Sequence, residues 1–230
     1  MDISDDSKNH LLAGYRRYLR DDYSGAIEHY NHAIEHDPRL FFGYYHRGEC
    51  WQYLDEFDYA IQDYNQAIDI LPTYSSTYEI RALAKRNSGD IAGAMRDLEM
   101  AQEFHPLQYR LRAYECINQH DSIGALALYD KGINLLDTWL NLDHIWKNLV
   151  GQHNHAHRPY PYDETIEIYW HSSHLREKTC DLIGAIRECQ KFLDAGGLVD
   201  WGTEDIEEKN CGIKAKIIVR GKPKPALSIC

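Results

Sequence analysis

Histidines are the residues in this sequence whose type and spacing most resemble a chemical site. His153, His155 and His157 alternate within the segment GQHNHAHRPYPYDE, and His171 and His174 lie three residues apart further on. Alternate side chains of an extended segment share a face, so three imidazoles could converge on zinc or nickel. The other interpretation is a solvated polar loop, because histidine is abundant throughout the chain and no acidic or cysteine ligand adjoins the run. We favour the loop and keep a metal-binding or metal-dependent hydrolytic protein as the alternative function.

Other catalytic constellations are missing from the sequence. It contains no GxSxG, no Walker glycine loop, no HExxH and no dinucleotide fingerprint. The six cysteines form no CxxC pair, and Cys50, Cys116 and Cys189 fall on predicted helices, where they are expected as small buried or half-buried reduced thiols. Asp55 and Glu56 lie in a predicted turn, where acidic residues favour a helix start. The sequence therefore predicts a protein that is not an enzyme and has no cofactor.

Charge is distributed unevenly along the chain. The net charge is −11, but the segment from Ile213 onward carries five basic residues and no acidic one, so the preceding 212 residues carry −16. Such a body repels nucleic acid and anionic membranes and attracts basic partners, although acidity also serves solubility. No apolar run approaches the roughly 20 residues of a membrane helix, and the N-terminus MDISDDSKNH does not resemble a signal peptide. We expect a soluble, cytoplasmic protein.

Three segments repeat one pattern at an interval of 34 residues: AIEHYNHAIEHDP from residue 26, AIQDYNQAIDILP from residue 60 and AMRDLEMAQEFHP from residue 94. In each, a small residue, a large residue four positions on and a small residue three positions beyond share one helix face. The large residues, which we expect in the core, are Tyr30, Tyr64 and Leu98. The closing proline cannot continue the helix. Each unit is therefore predicted to be a pair of antiparallel helices.

A 34-residue helix pair with this pattern and a closing proline resembles the tetratricopeptide repeat family. The segment YYHRGECWQYLDEFDYAIQDYNQAIDILP is similar to the consensus of that family over nearly its whole length. The resemblance implies an all-α, right-handed superhelical solenoid of antiparallel helix pairs. We expect repeats at 7–40, 41–74 and 75–108. A degenerate repeat is expected at 109–137, where Ala125, Tyr129 and Gly132 come 31 residues after their counterparts, as if a turn had lost three residues.

The rest of the chain is predicted to contain four further segments. Residues 138–164 would form an extra helix and the histidine-rich loop, and residues 165–196 a fifth helix pair with Ala185 at the small position and Gly196 as the helix stop. Residues 197–212 would cap the solenoid, with a helix at about 203–210, because a last repeat must cover its apolar face. We expect the basic tail at 213–230 to be flexible, or to be ordered only by lying on the acidic body, since the strand-like pattern from Lys214 to Ile217 has no sheet to join.

A binding surface is implied by the family resemblance. Members of this family typically hold extended peptides or partner helices on a concave face that the first helix of each repeat lines. We therefore expect a protein-interaction module or scaffold whose partner carries apolar anchors and basic residues, oriented by Glu49. The aromatic residues in the first half of this face are either inter-repeat packing or an amphipathic binding surface. The residues mapped to the face are Leu11, Tyr15, Tyr18, Phe42, Tyr45, Glu49, Tyr53, Glu79, Leu83, Arg86, Arg110 and Tyr114.

One well-known group within the family binds chaperone tails. These members grip a C-terminal carboxylate with lysine, asparagine and arginine side chains. The corresponding places in this chain hold Leu11, Tyr15, His46, Ser76 and Ile80. The sequence therefore predicts that the carboxylate clamp for Hsp70 or Hsp90 is absent.

Overall fold

The structure is a computed structural model that describes residues 4–150, 162–194, 215–218 and 226–229. Its contacts divide the chain into two units, Met1–Ile168 and Tyr169–Cys230. Within the described residues, no helix combines the length and apolarity that a membrane span requires. The helices in chain order are α1 Asp5–Tyr18, α2 Tyr23–His36, α3 Phe41–Tyr53, α4 Phe57–Ile70, α5 Ser75–Ser88, α6 Ile91–Glu103, α7 Pro106–Asn118, α8 Ser122–Val150, α9 Tyr162–Lys178 and α10 Leu182–Asp194.

The first six helices form three packed pairs that follow the 34-residue period, and the predicted solenoid of helix pairs is confirmed. Tyr30 and Tyr64 are fully buried, as the small-large-small pattern predicts. A Cβ atom on Gly14 would lie 2.7 Å from Cε1 of Tyr30, and one on Gly48 would lie 2.6 Å from Cε1 of Tyr64. Glycine is therefore needed at both places, because the ring of the second helix occupies the space that a side chain on the first helix would fill.

One turn geometry joins the two helices of each pair. The residue that makes the turn has a left-handed φ between 59° and 94°, and these residues are Asp21, Asp55, Gly89, His120 and Cys180. In four of the five turns the next residue is an aspartate that caps the second helix by accepting a hydrogen bond of 2.8 to 3.0 Å from a glycine N–H three positions on. The same turn precedes α8 and α10, so the fourth and fifth helix pairs are built like the regular ones.

A cluster of one asparagine, one arginine and one aspartate ties each repeat to the one before it. The arginine Nε and Nη2 donate to the aspartate at 2.6 to 2.9 Å, and Nη1 donates to the asparagine of the preceding repeat at 2.6 Å. Such bidentate pairs have a fixed geometry, which sets the position of one repeat on the next. The members are Asn31, Arg47 and Asp63 at the first boundary, and Asn65, Arg81 and Asp97 at the second.

The fourth helix pair departs from the period at its first residue. In the earlier repeats two residues separate the proline from the next helix, whereas Pro106 is itself the first residue of α7, which accounts for the three missing residues. Contact between α6 and α7 is sparse, unlike that between α4 and α5. Leu98 is consequently 49% exposed, so the prediction that it lies in the core is wrong, whereas Tyr129 at the same place in α8 is buried.

Helix α8 has 29 residues and is about 43 Å long at 1.5 Å per residue. It runs without interruption through the boundary predicted between residues 137 and 138, so the second helix of the degenerate repeat and the predicted extra helix are one helix. The first part of α8 packs against α7 as a normal repeat partner. Residues 138–150, called here the α8 C-terminal half, extend beyond that pair.

In the second unit, the last part of α9 and α10 contribute to the fifth helix pair, and Ala185 is buried as predicted. Gly196 and the predicted capping helix at about 203–210 lie outside the described residues. Strands β1 Ala215–Ile218 and β2 Ala226–Ile229 pair antiparallel, with Ala215 opposite Ile229. The expectation that a strand in the tail has no partner is therefore wrong, because the tail supplies the second strand itself. Flexibility of the tail stays a prediction.

Candidate protein-binding groove

The first part of the predicted groove, which α1 and α3 line, is covered by the α8 C-terminal half. Leu142 and Trp146 of this half belong to the same buried hydrophobic cluster as Leu11, Tyr15 and Phe42. None of these five side chains is more than 7% exposed. In this structure a helix of the same chain therefore fills the first part of the groove.

Trp146 makes the central contacts of this helix. Its ring centroid lies 4.9 Å from that of Tyr15 in an edge-to-face arrangement, 4.9 Å from Phe42 and 4.3 Å from His46. These separations are those of favourable aromatic pairs. Tyr15 belongs to α1, whereas Phe42 and His46 belong to α3, so one indole ring joins the first two repeats and the α8 C-terminal half.

An apolar stripe on the α8 C-terminal half continues these contacts along the groove. Trp139 is 8% exposed, and its ring lies 6.0 Å from Tyr74, the residue that caps α5, and 5.2 Å from His105, the residue that caps α7. Trp139, Leu142 and Trp146 have the i, i+3, i+7 spacing of one helix face. The sequence shows this spacing, but the surface that the stripe covers is apparent only in the fold.

Glu49 was expected to orient a basic residue of a partner. In the structure its carboxylate contacts a side chain of this same chain. Oε2 of Glu49 lies 2.6 Å from Nδ1 of His46, and the two side chains are 7% and 4% exposed. Burial and, to a smaller extent, the charge of Glu49 raise the pKa of Tyr15, so this phenol stays neutral at physiological pH. The floor of the groove is therefore an apolar surface containing one buried polar pair.

The other aromatic residues mapped to the first half of the groove lie in two further environments. Tyr53 is 59% exposed, and its ring stacks on that of Tyr23 at 4.7 Å, with Tyr18 at 5.8 Å. Tyr45 packs against Phe41 of its own helix at 5.6 Å and against Tyr74 of the next repeat at 6.3 Å, and burial raises its pKa well above the ordinary value. Tyr45 thus acts as packing between repeats, whereas Tyr53 is open to solvent at the edge of the groove.

Residues mapped to the later repeats are more open. Glu79 and Arg110 are partly buried, and Arg110 forms an ion pair with Glu167 of α9. The exposed members of this set are Leu83, Arg86 and Tyr114. The structure therefore gathers Leu11, Tyr15 and Phe42 beneath the α8 C-terminal half and leaves part of the second-half set accessible.

A histidine cluster that the sequence analysis did not identify lies between α1 and α2. The ring centroid of His10 is 5.7 Å from His29, 5.0 Å from His32 and 6.0 Å from His36. Nδ1 of His10 and Nδ1 of His29 are 3.4 Å apart, and Nδ1 of His32 lies 3.2 Å from Oε2 of Glu35. The 3.6-residue period puts three of these histidines on one side of α2, a signal that was visible in the sequence.

The histidine run behind the alternative function cannot be placed in the fold. His153, His155 and His157 lie outside the described residues. His174 has its Nδ1 3.2 Å from the carbonyl oxygen of Trp170, one helical turn earlier. Metal binding by the run stays an untested prediction.

Four of the six cysteines fall within the part of the chain that the structure describes. Burial raises the pKa of Cys50, which keeps this thiol protonated. Cys116 and Cys189 are free and partly buried, as expected. Cys180 is disulfide-bonded, so the expectation of reduced thiols throughout is wrong at this residue.

Comparison with known proteins gives short matches to curated sequences, and no protein-family model matches the chain. Tetratricopeptide repeat protein 36 of Mus musculus is 50% identical over 42 residues, which is 18% of this chain and 23% of the relative. The protein of the same name from Danio rerio is 52% identical over 42 residues, covering 18% and 22%. The match thus spans less than a quarter of the length of these curated relatives.

Solved structures give longer and more distant matches. The MamA protein is 15% identical, with a TM-score of 0.42, over 82% of this chain and 91% of that one. The second TPR of Spaghetti (RPAP3), bound to the HSP90 peptide SRMEEVD, is 22% identical, with a TM-score of 0.43, over 44% and 94%. The TPR2B domain of yeast Sti1 in a complex with pHsp70 is 25% identical, with a TM-score of 0.42, over 57% and 98%. The 34-residue period and the stacked helix pairs give the chain the fold of tetratricopeptide repeats, and its 42-residue match is to a protein named for that repeat.

Proposed function

We propose that this chain is a non-catalytic protein-interaction module that binds an amphipathic helix of a partner protein in its groove, and that the α8 C-terminal half occupies this groove in the free chain. The observation that carries the proposal is the seating of Trp146 against Tyr15, Phe42 and His46. A surface that accepts a helix of its own chain with this packing has the shape and apolarity that a partner helix needs.

The chemistry of the bound segment indicates the chemistry of the partner. Its stripe of Trp139, Leu142 and Trp146 supplies large apolar anchors at i, i+3 and i+7. Lys147 lies beside them and forms an ion pair with Asp143 of the same helix. The net charge of −16 on residues 1–212 favours a partner with basic residues and disfavours nucleic acid or an anionic membrane. We therefore propose a partner helix with two or three large apolar side chains on one face and lysine or arginine at its border.

The proposal excludes capture of a chaperone tail through a carboxylate clamp. Leu11 and Tyr15 stand where that clamp needs lysine and asparagine, and both are buried in the hydrophobic cluster. His46 is likewise buried and hydrogen-bonded to Glu49. At these three places the floor of the groove presents no lysine or arginine to a carboxylate. A cytoplasmic location remains a prediction from the sequence.

A peptide corresponding to residues 138–150 tests whether the groove accepts a helix in trans. The fluorescein-labelled peptide TWLNLDHIWKNLV is titrated by anisotropy with the wild-type full chain and with the Trp146→Ala full chain. Loosening the resident helix raises the fraction of chains with an open groove, and the apparent affinity rises with that fraction. We expect the variant to bind the peptide at least about 10-fold more tightly than the wild type does.

Two controls define the site. Adding Phe42→Ala to the Trp146→Ala chain removes a groove ring and should weaken peptide binding, and a peptide with alanine in place of its second tryptophan should bind poorly. If the peptide binds neither chain, or binds both equally, the groove is not a helix receptor and the proposed function is wrong.

A further inference from the structure

The histidine cluster between α1 and α2 lies in the first repeat and is independent of the proposed helix binding. We propose that His10, His29, His32 and His36 form a binding site for one divalent transition metal ion of the zinc class. Imidazole nitrogen is a ligand that suits zinc, copper and nickel, whereas magnesium and calcium require oxygen donors.

The contact between His10 and His29 already has the spacing of two metal ligands. Their Nδ1 atoms are 3.4 Å apart. Two nitrogen ligands at about 2.0 to 2.1 Å from a tetrahedral zinc ion are separated by about 3.3 to 3.4 Å. One nitrogen comes from α1 and the other from α2, so an ion placed between them would join the two helices of the first repeat.

The arrangement on α2 supplies the further ligands. His29, His32 and His36 have i, i+3, i+7 spacing and share one side of the helix, next to His10 on α1. Nδ1 of His32 lies 3.2 Å from the Glu35 carboxylate. This contact leaves Nε2 of His32 as the ligand atom, in the carboxylate–histidine–metal arrangement that commonly orients a ligating imidazole.

Closure of the site requires only exposed side chains to turn. In the part of the chain that the structure describes, no three ligand side chains yet surround a common point. His32 and His36 are exposed, so their rings can turn toward the His10–His29 pair without disturbing buried packing. The same exposure gives an ion in solution direct access to the cluster, and the acidic body attracts cations.

Calorimetric titration of the untagged, dialysed full chain with zinc chloride tests the site, with magnesium chloride as the oxygen-preferring control. We expect one zinc ion bound per chain and no magnesium binding. His10→Ala and His29→Ala should each weaken zinc binding at least about 10-fold, and Glu35→Gln, which keeps all four ligands, should weaken it about 10-fold through loss of orientation. Circular dichroism checks that each variant remains helical.

The matched control is a chain with His153, His155 and His157 all replaced by alanine. This variant should bind zinc as the wild type does, because the proposed ligands are untouched. No zinc binding to the wild type, unchanged affinity in both His10→Ala and His29→Ala, or loss of binding only in the triple variant would each overturn the proposal, and the last result would assign the metal to the histidine run.

Discussion

Replacing Trp146 with alanine should release the α8 C-terminal half from the groove while the repeats stay folded. The indole is 7% exposed and contacts three rings on α1 and α3. A buried tryptophan removes about 150 to 250 Å² from water, and at about 25 cal/mol per Å² this gives an upper estimate of roughly 4 to 6 kcal/mol. Tryptophan-to-alanine replacements in cores cost about 3 to 5 kcal/mol. We therefore expect docking of this half to weaken by about 3 to 5 kcal/mol.

Amide hydrogen exchange measured by mass spectrometry reports this change segment by segment. A factor of ten corresponds to about 1.4 kcal/mol, so exchange in residues 138–150 should accelerate by about 100-fold to several thousand-fold, unless it first reaches the rate of an open chain. Exchange in α4 should change far less, because the buried ring of Tyr64 and the carboxylate of Asp63 in this helix pack on groups other than Trp146.

Trp170→Ala is the matched control, because this indole packs against His174 and Phe192. It should leave exchange in residues 138–150 unchanged. The reasoning is refuted if Trp146→Ala also leaves that exchange unchanged, or if it accelerates exchange equally in α4. The second result would make the α8 C-terminal half part of one cooperative core, not a separable occupant of the groove.

Three other predictions follow from the fold. Tyr64→Ala should lower the free energy of unfolding by about 3 to 5 kcal/mol, whereas Leu98→Ala, at the same repeat position but half exposed, should lower it by only about 1 kcal/mol in urea titrations. Burial opposes ionisation of Asp97, but hydrogen bonds from Arg81 and Lys85 outweigh it and lower the pKa of this carboxyl. Its contribution to stability is therefore present above the unfolded pKa of about 3.9 and lost as the pH falls through the folded pKa, so Asp97→Asn should cost about 3 kcal/mol at pH 7 and progressively less in acid. The peptide SRMEEVD should show no binding by anisotropy to the wild-type chain or to Trp146→Ala; micromolar binding would contradict the assignment of a groove without a carboxylate clamp.

The sequence predicted the helix pairs because the residues that pack each pair together recur at a fixed interval. Gly14 and Gly48 face Tyr30 and Tyr64 across each pair, and all four positions follow from the 34-residue period. The asparagine–arginine–aspartate clusters obey the same period and could have been found by aligning the repeats. Residues whose surroundings repeat were thus accessible to sequence reasoning.

Features that depend on a break in the period were missed. Asp137 stands where a regular repeat has proline, and without a helix-ending residue there α8 continues to Val150. Leu98 matches the core pattern, but its partner helix α7 begins directly at Pro106 and packs little against α6. In both cases one residue at a helix boundary changes the packing of a whole helix. A pattern of apolar and small residues within the helix does not predict such a change.

Contacts between residues that are far apart in the sequence could not be predicted either. The apolar spacing of residues 138–150 is evident, but nothing local indicates that Trp146 packs on Tyr15, 131 positions earlier. The expected open groove was therefore mapped onto residues that the structure covers with a helix. The histidine cluster was missed for the same reason, because His10 lies beside His29 only when α1 packs against α2.

A double-mutant cycle between Phe42 and Trp146 tests most directly whether the α8 C-terminal half occupies the groove. The free energy of unfolding is measured by urea titration for the wild type, Phe42→Ala, Trp146→Ala and the double variant. Rings 4.9 Å apart should be coupled by about 0.5 to 1.5 kcal/mol, whereas the control cycle between Phe42 and Trp170 should be additive. Additivity of Phe42→Ala and Trp146→Ala within about 0.3 kcal/mol would show that the two rings do not meet and would contradict the account.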